Sequence, residues 1–267
     1  MNDLEAAAIL GAVQGLTEFL PVSSTAHLIL VTDLLKLDPN RFGLTFDVAL
    51  HLGTALAVLL YFMGTWLSLL WDFVRLRWGL LTLLVLGTVP AAIAGAIFQS
   101  TVETNLRGPV VIVIGLVAGS AAIAIAEARA RQRRYLGDVG FGEAIFIGLA
   151  QAIALVPGIS RSGITISAGL VRDLHREEAT RFSFLLATPI IVGAGAKTLL
   201  DARTVALLFP PSEVVAVGFV VAFISGFAAI AFMMSFLRAH SLSWFVGYRL
   251  ALAALILILL RTGVLSP

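Results

Sequence analysis

Long apolar runs alternate with short polar interruptions along almost the whole chain. A membrane-spanning helix needs about 20 mainly apolar residues. Six segments meet that length, roughly 45–72, 78–98, 107–129, 178–200, 212–236 and 243–261. Two further apolar stretches, roughly 4–36 and 141–172, are each broken midway by a polar patch containing proline. The first patch is Glu18-Phe19-Leu20-Pro21-Val22-Ser23-Ser24-Thr25-Ala26-His27. The second is Pro157-Gly158-Ile159-Ser160-Arg161-Ser162-Gly163-Ile164-Thr165. Proline removes a backbone donor and pushes the preceding residue out of the helical region. Broken backbone at membrane depth is tolerated only where protein buries it or it lines a cavity. Both stretches are therefore expected to be re-entrant helix–turn–helix pairs, each leaving the membrane on the side it entered.

Composition narrows the class. Hydrophobic residues make up 59% of the 267 and charged residues 13%, against roughly 45–50% and 25% in a soluble domain. A soluble globule could not hide that much apolar surface, and disordered and nucleic-acid-binding classes are excluded with it. The net charge of +2 does not reverse this, because the basic residues sit in short clusters between apolar runs, where membrane topology accounts for them. There are no cysteines, so disulfides, thiolate nucleophiles and cysteine-ligated metals are excluded. The acidic start, with Asp3 and Glu5, lacks the basic region of a cleaved signal peptide.

The arginines predict a topology. Arg75 and Arg77, the Arg129–Arg134 cluster, Arg172, Arg176 and Arg181, and Arg238 fall in four inter-span loops. If these are cytoplasmic, the spans alternate, and Lys36, Arg107, Arg203 and both termini fall outside. Trp66, Trp71 and Trp78 suit an interfacial belt, and Lys197 a snorkelling position near a span end. Asp173 to Glu178 read as a solvated turn and helix start. An internal repeat fits the same plan. Gly11-Ala12-Val13-Gln14 followed by Pro21 and Ser23 parallels Gly148-Leu149-Ala150-Gln151 followed by Pro157 and Ser160. Phe46 to Leu50 parallels Phe182 to Leu186. The expected fold is all-α and polytopic, with two inverted-topology repeats, 1–136 and 137–267, each a re-entrant pair plus three transmembrane helices in one membrane domain. The two polar tips would then meet near the membrane midplane.

Candidate chemistry concentrates in the two patches. Ionisable side chains inside membrane segments are costly and mark functional paths. Glu18 lies one helical turn after Gln14, so two oxygen-bearing side chains share a face and suit a hard cation, Mg²⁺ or Ca²⁺. His27 is a candidate acid–base group. Ser23 and Ser24 are candidate nucleophiles or phosphate donors, and either could also cap a helix after Pro21. Ser160, Arg161, Ser162 and Thr165 offer hydroxyls and a guanidinium fork at an expected helix start, an oxyanion cradle suited to phosphate. His51 and Thr54 lie within a span, where lining the cleft and simple packing are both open. A carboxylate and a histidine facing anion-binding donors suit phosphoryl transfer, on a substrate joining phosphate to a lipid tail.

Gln14 to His27 resembles the first signature of bacterial undecaprenyl pyrophosphate phosphatases, the bacitracin-resistance family, and Pro157 to Thr165 resembles the second. Length and span order are similar too, so the resemblance covers nearly the whole chain. It implies a multi-pass protein of the bacterial cytoplasmic membrane. Such a protein removes the terminal phosphate of undecaprenyl pyrophosphate, recycles the lipid carrier for cell-wall synthesis and confers bacitracin resistance. It also implies a divalent cation, a homodimer, and a site open to the periplasmic or extracellular side. By position, Glu18 would serve metal or acid–base chemistry, Ser24 would be the nucleophile candidate beside Ser23, and His27 the proton carrier. Arg161, Ser160, Ser162 and Thr165 would hold the pyrophosphate. Many members carry a glutamate where this chain has Gln14, which removes the second carboxylate of a two-metal site. The rival expectations are an inverted-repeat transporter or lipid flippase that binds an anionic lipid without hydrolysis, and a scaffold built on a buried ion pair.

Overall fold

The computed structural model describes residues 1–38, 40–77, 79–200 and 211–265. Trp78, Arg203 and the side chain of Lys197 lie outside the described residues, so the expectations placed on them are not addressed. The described chain is all-α: α1 Asp3–Phe19, α2 Ser24–Leu34, α3 Leu44–Tyr61, α4 Met63–Val74, α5 Gly79–Asn105, α6 Pro109–Arg129, α7 Phe141–Ile153, α8 Arg161–Val171, α9 Arg176–Leu200, α10 Ser212–Ala239 and α11 Ser243–Arg261. Five of these helices are long and apolar enough to cross a membrane. Ile93, Ile114, Val192, Ile224 and Ile258 stand exposed on their surfaces, as lipid-facing residues do.

One expected span is bent. The 45–72 segment is two helices bent by 76° at Phe62. Phe62 leaves the helical region (φ −99°, ψ 24°), is buried in the core and packs edge-on against Tyr61. Beyond it, Leu67, Leu70, Trp71 and Val74 stay exposed on α4. The bend lets one aromatic ring enter the core while the following apolar face turns outward. The chain is equally apolar on both sides, so hydropathy carries no sign of the bend.

The two proline-containing patches do interrupt their helices. The first falls between Phe19 and Ser24, the second between Ile153 and Arg161. Each flanking pair closes on itself at the far end. Glu143, in the first turn of α7, lies 2.7 Å from Arg172, the residue that ends α8. Asp3, in the first turn of α1, pairs with Arg41, past the end of α2.

Helix packing crosses between the halves. α1 packs on α10, and α7 packs on α5. Both contacts need glycine. A Cβ at Gly11 would lie 2.6 Å from the Gly218 carbonyl oxygen, and one at Gly148 would collide with the Gly87 carbonyl. α3 packs on α9, and α6 on α11. The main core includes Phe19, Phe182, Phe184 and Ile230, with Val22 from the first interruption. A separate cluster includes Ile112, Leu116 and Leu252.

Candidate active site

The two interruptions are built alike. Each ends in a serine that precedes a helix in a left-handed backbone conformation: Ser23 at φ 76° and Ser160 at φ 74°. Non-glycine residues adopt this region at a cost and concentrate at functional sites. The helix that follows carries the next side chain, Ser24 on α2 and Arg161 on α8, into a shared cavity. Ser160 caps α8 by accepting from the Gly163 N–H at 3.2 Å. Ser23 makes no such cap. Its hydroxyl accepts instead from the Gly158 N–H at 3.2 Å, tying the first interruption to the second.

Glu18 is the centre of the cavity's polar wall. Its side chain is 6% exposed. Oε1 pairs with the Arg161 guanidinium. Oε2 accepts from the Ser24 hydroxyl at 2.6 Å and from the Gln14 amide at 3.0 Å. The His51 Nε2 lies 3.6 Å from the same oxygen. The cavity measures about 290 Å³ and is lined by Thr17, Glu18, Ser23, Ser24, Thr25, His51, Gln151, Ser160 and Arg161, with an apolar remainder that includes Val48, Ala91, Val156, Ile190 and Ile191. A polar end against an apolar trough suits an anionic headgroup on a hydrocarbon tail.

The expected site residues divide. Glu18, Ser23, Ser24, Ser160 and Arg161 line the cavity together. Ser162, Thr165, Gln14 and His27 do not. Ser162 donates to the Leu20 carbonyl at 3.0 Å, which again bridges the interruptions. Thr165 donates to the Arg161 carbonyl at 2.7 Å and meets the Ser183 hydroxyl at 2.6 Å. Gln14 supports Glu18, and its own Oε1 is buried without a partner. His27 is engaged at both ring nitrogens. Nδ1 lies 2.8 Å from the Ser23 carbonyl, which can only accept, so Nδ1 carries the proton of the neutral ring. Nε2, 2.7 Å from the Tyr248 hydroxyl, then accepts. Of the two span residues, His51 lines the cavity, while Thr54 is fully buried and donates to the His51 carbonyl at 2.8 Å. His51 Nδ1 is held 2.7 Å from the Asp47 carbonyl, to which it can only donate, and Nε2 faces Glu18 Oε2 at 3.6 Å, a contact that attracts when Nε2 also carries a proton.

The family model for bacitracin resistance protein BacA matches residues 7–255. The chain belongs to that family. Relatives named undecaprenyl-diphosphatase run along nearly its whole length. One from Rubrobacter xylanophilus is 47% identical over 270 residues, covering 97% of this chain and 99% of the relative. One from Moorella thermoacetica is 42% identical, covering 94% and 95%. One from Mycolicibacterium smegmatis is 40% identical, covering 97% of each.

Sequence reasoning missed three residues in or near this cavity. Gln151 is 3% exposed, lines the cavity, and its amide nitrogen and oxygen have no hydrogen-bond partner. The repeat pairs it with Gln14, a signal that was available. Tyr248 and Arg249 come from α11, the last helix, and approach the first interruption. A lone arginine in the middle of an apolar span was the signal for Arg249.

Proposed function

We propose that this chain is an integral membrane hydrolase that converts undecaprenyl pyrophosphate to undecaprenyl phosphate and inorganic phosphate, recycling the lipid carrier for cell-wall synthesis. What carries the reading is one constellation: a serine hydroxyl 2.6 Å from a buried carboxylate whose other oxygen holds an arginine, all facing a cavity with an apolar trough. Near-full-length relatives named undecaprenyl-diphosphatase support it.

In this proposal the terminal phosphate enters beside Arg161 and Ser160. Arginine grips phosphate bidentately, so the substrate competes with Glu18 for the guanidinium. Releasing Oε1 makes Glu18 a better acceptor for the Ser24 proton. The Ser24 oxygen attacks the terminal phosphorus as the bond to the bridging oxygen breaks, and undecaprenyl phosphate leaves. Water then cleaves the phosphoserine, giving inorganic phosphate and returning a proton to Ser24. His27 was the expected proton carrier, but His51 suits that role better, because it lines the cavity with its Nε2 beside the Glu18 carboxylate. His27, bonded to the Ser23 carbonyl, positions the interruption. Ser162 and Thr165 hold the cradle's shape rather than touching phosphate.

A divalent cation, Mg²⁺ or Ca²⁺, belongs to the proposal. Among the described residues no three His, Cys, Asp or Glu side chains converge as a ligand set. Glu18 faces the cavity and would hold the cation there, while Gln14, off the cavity with its amide nitrogen on Glu18, would support that carboxylate. A single carboxylate fits a cation taking its other ligands from the diphosphate and water, as Mg²⁺ commonly does. When bound, it would neutralise phosphate charge in the transition state.

The architecture proposed is two inverted repeats, 1–136 and 137–267, each with a re-entrant pair. Supporting it are the reciprocal packing of α1 on α10 and α7 on α5, the hairpins closed by Asp3–Arg41 and Glu143–Arg172, and the twin left-handed serines. The arginine distribution supports a site open to the periplasmic or extracellular side. A homodimer is proposed on family grounds.

Hydrolysis in ¹⁸O-water tests the bond cleaved. The label should appear in inorganic phosphate and not in the lipid product. Label in the lipid phosphate would move the attack to the other phosphorus. Unchanged lipid with folded protein would favour the transporter or flippase. Unfolding on Glu18→Gln, with no activity in the parent protein, would favour the scaffold.

A further inference from the structure

Arg249 is fully buried in α11, and among the described residues no carboxylate is one of its partners. Its guanidinium instead gathers carbonyl oxygens from both interruptions. Nη1 donates to Pro21 at 2.9 Å, in the first. Nη2 is shared between Gly158 at 2.8 Å and Ile159 at 3.1 Å, in the second. Nε donates to the Ser120 hydroxyl at 3.1 Å, and Nη2 also reaches the Leu116 carbonyl at 3.1 Å, both on α6. Among the described residues, no backbone N–H outside the helices' own ladders donates to the Pro21, Gly158 or Ile159 carbonyls. Broken backbone away from water must find donors elsewhere. Gly119 leaves the room, since a Cβ there would collide with both the guanidinium and the Ile159 carbonyl.

We infer that Arg249 is a positioning residue for phosphoryl transfer. One planar cation bridges the two interruptions and sets the spacing between Ser24 and Arg161. It touches neither of them. Lysine cannot do this, because a single ammonium lacks the fork that spans two separate carbonyl sets. Among the described residues, the geometry also leaves a buried positive charge met by carbonyl dipoles and one hydroxyl, beside a site that accepts an anion.

The inference rests on the hydrolase reading, so the experiment has an arm independent of activity. Purified parent protein, Arg249→Lys and Gly119→Ala are compared in detergent by hydrogen–deuterium exchange and by phosphate release from undecaprenyl pyrophosphate. Exchange should rise about fivefold or more in peptides covering both 20–23 and 154–160, and not only beside α11. The kcat should fall about 100-fold with KM within about threefold, because misplacement costs turnover more than affinity. The double variant should lose much less than the product of the two single losses, since both changes act on one guanidinium. Should Arg249→Lys fail to fold, Gly119→Ala alone carries both readouts. Unchanged exchange at either interruption, or near-parental kcat in a folded variant, would overturn the inference. An inactive parent with the exchange pattern intact would sink the hydrolase reading and leave the bridge standing.

Discussion

Glu18 gathers side chains from four helices onto one carboxylate: Gln14 of α1, Ser24 of α2, His51 of α3 and Arg161 of α8. Removing one member of a buried pair leaves an uncompensated charge, at about 3–5 kcal/mol. Glu18→Ala should therefore lose both stability and activity, whereas Ser24→Ala should keep its melting temperature and lose turnover by about 100-fold or more. Equal melting temperatures with equal turnover would remove Ser24 from the chemistry. The histidines separate in the same assay. His51→Ala should lower kcat by about 100-fold, the scale of general acid–base catalysis, and His27→Phe should cost less turnover and more stability. Near-parental kcat in His51→Ala would return the proton to His27. The polar residues of both patches were legible because charge and proline inside apolar runs are conspicuous. Which of them face the cavity was not legible, because that depends on rotations of short helices about their axes. Ser162 and Thr165 lie one turn or less from Arg161 yet bond to Leu20 and Ser183 instead.

At the scale of elements, the interruptions are held by backbone geometry that few residues tolerate. Gly158 sits at φ +92°, and a Cβ there would collide with the Ile112 carbonyl of α6. Gly158→Ala should cost about 2 kcal/mol or more, from strain and overpacking together, measured as a lower unfolding midpoint in detergent. The α7–α8 hairpin is closed by Glu143, outside the spanning helices. Hydrogen bonds from Arg172 and Arg134 hold its carboxyl down to about 2, from an ordinary 4.5. A depressed carboxylate stabilises the fold above its unfolded value and loses that contribution as pH falls toward the folded one. The stability advantage of the parent over Glu143→Gln should thus be full at neutral pH and shrink from about pH 4.5 toward pH 2. An advantage independent of pH would exclude the ion pairs as its cause. Both interruptions were legible from proline and polarity. The Phe62 bend was not, because aromatic burial there leaves the apolar pattern unbroken.

Across the whole molecule, packing exchanges partners between the halves, so each interrupted pair leans on a long helix of the other half. This brings Ser24 of one half within reach of Arg161 of the other, both bonded to Glu18. Gly11 and Gly148, which the weak sequence parallel sets at the same place, each pack against a glycine carbonyl, of Gly218 and of Gly87. The contribution of the last helix was not foreshadowed, because Arg249 belongs to neither motif and acts through distant backbone carbonyls. The central claim is that two half-sites, meeting across the repeat, cleave a lipid pyrophosphate. Phosphate release from undecaprenyl pyrophosphate by purified protein in detergent tests it most directly, with Mg²⁺ or Ca²⁺ and then with chelator. Release by the parent, abolished by chelator and lowered about 1000-fold in a folded Arg161→Ala variant, is the predicted result. No release by folded parent protein, or parental release by Arg161→Ala, would contradict it.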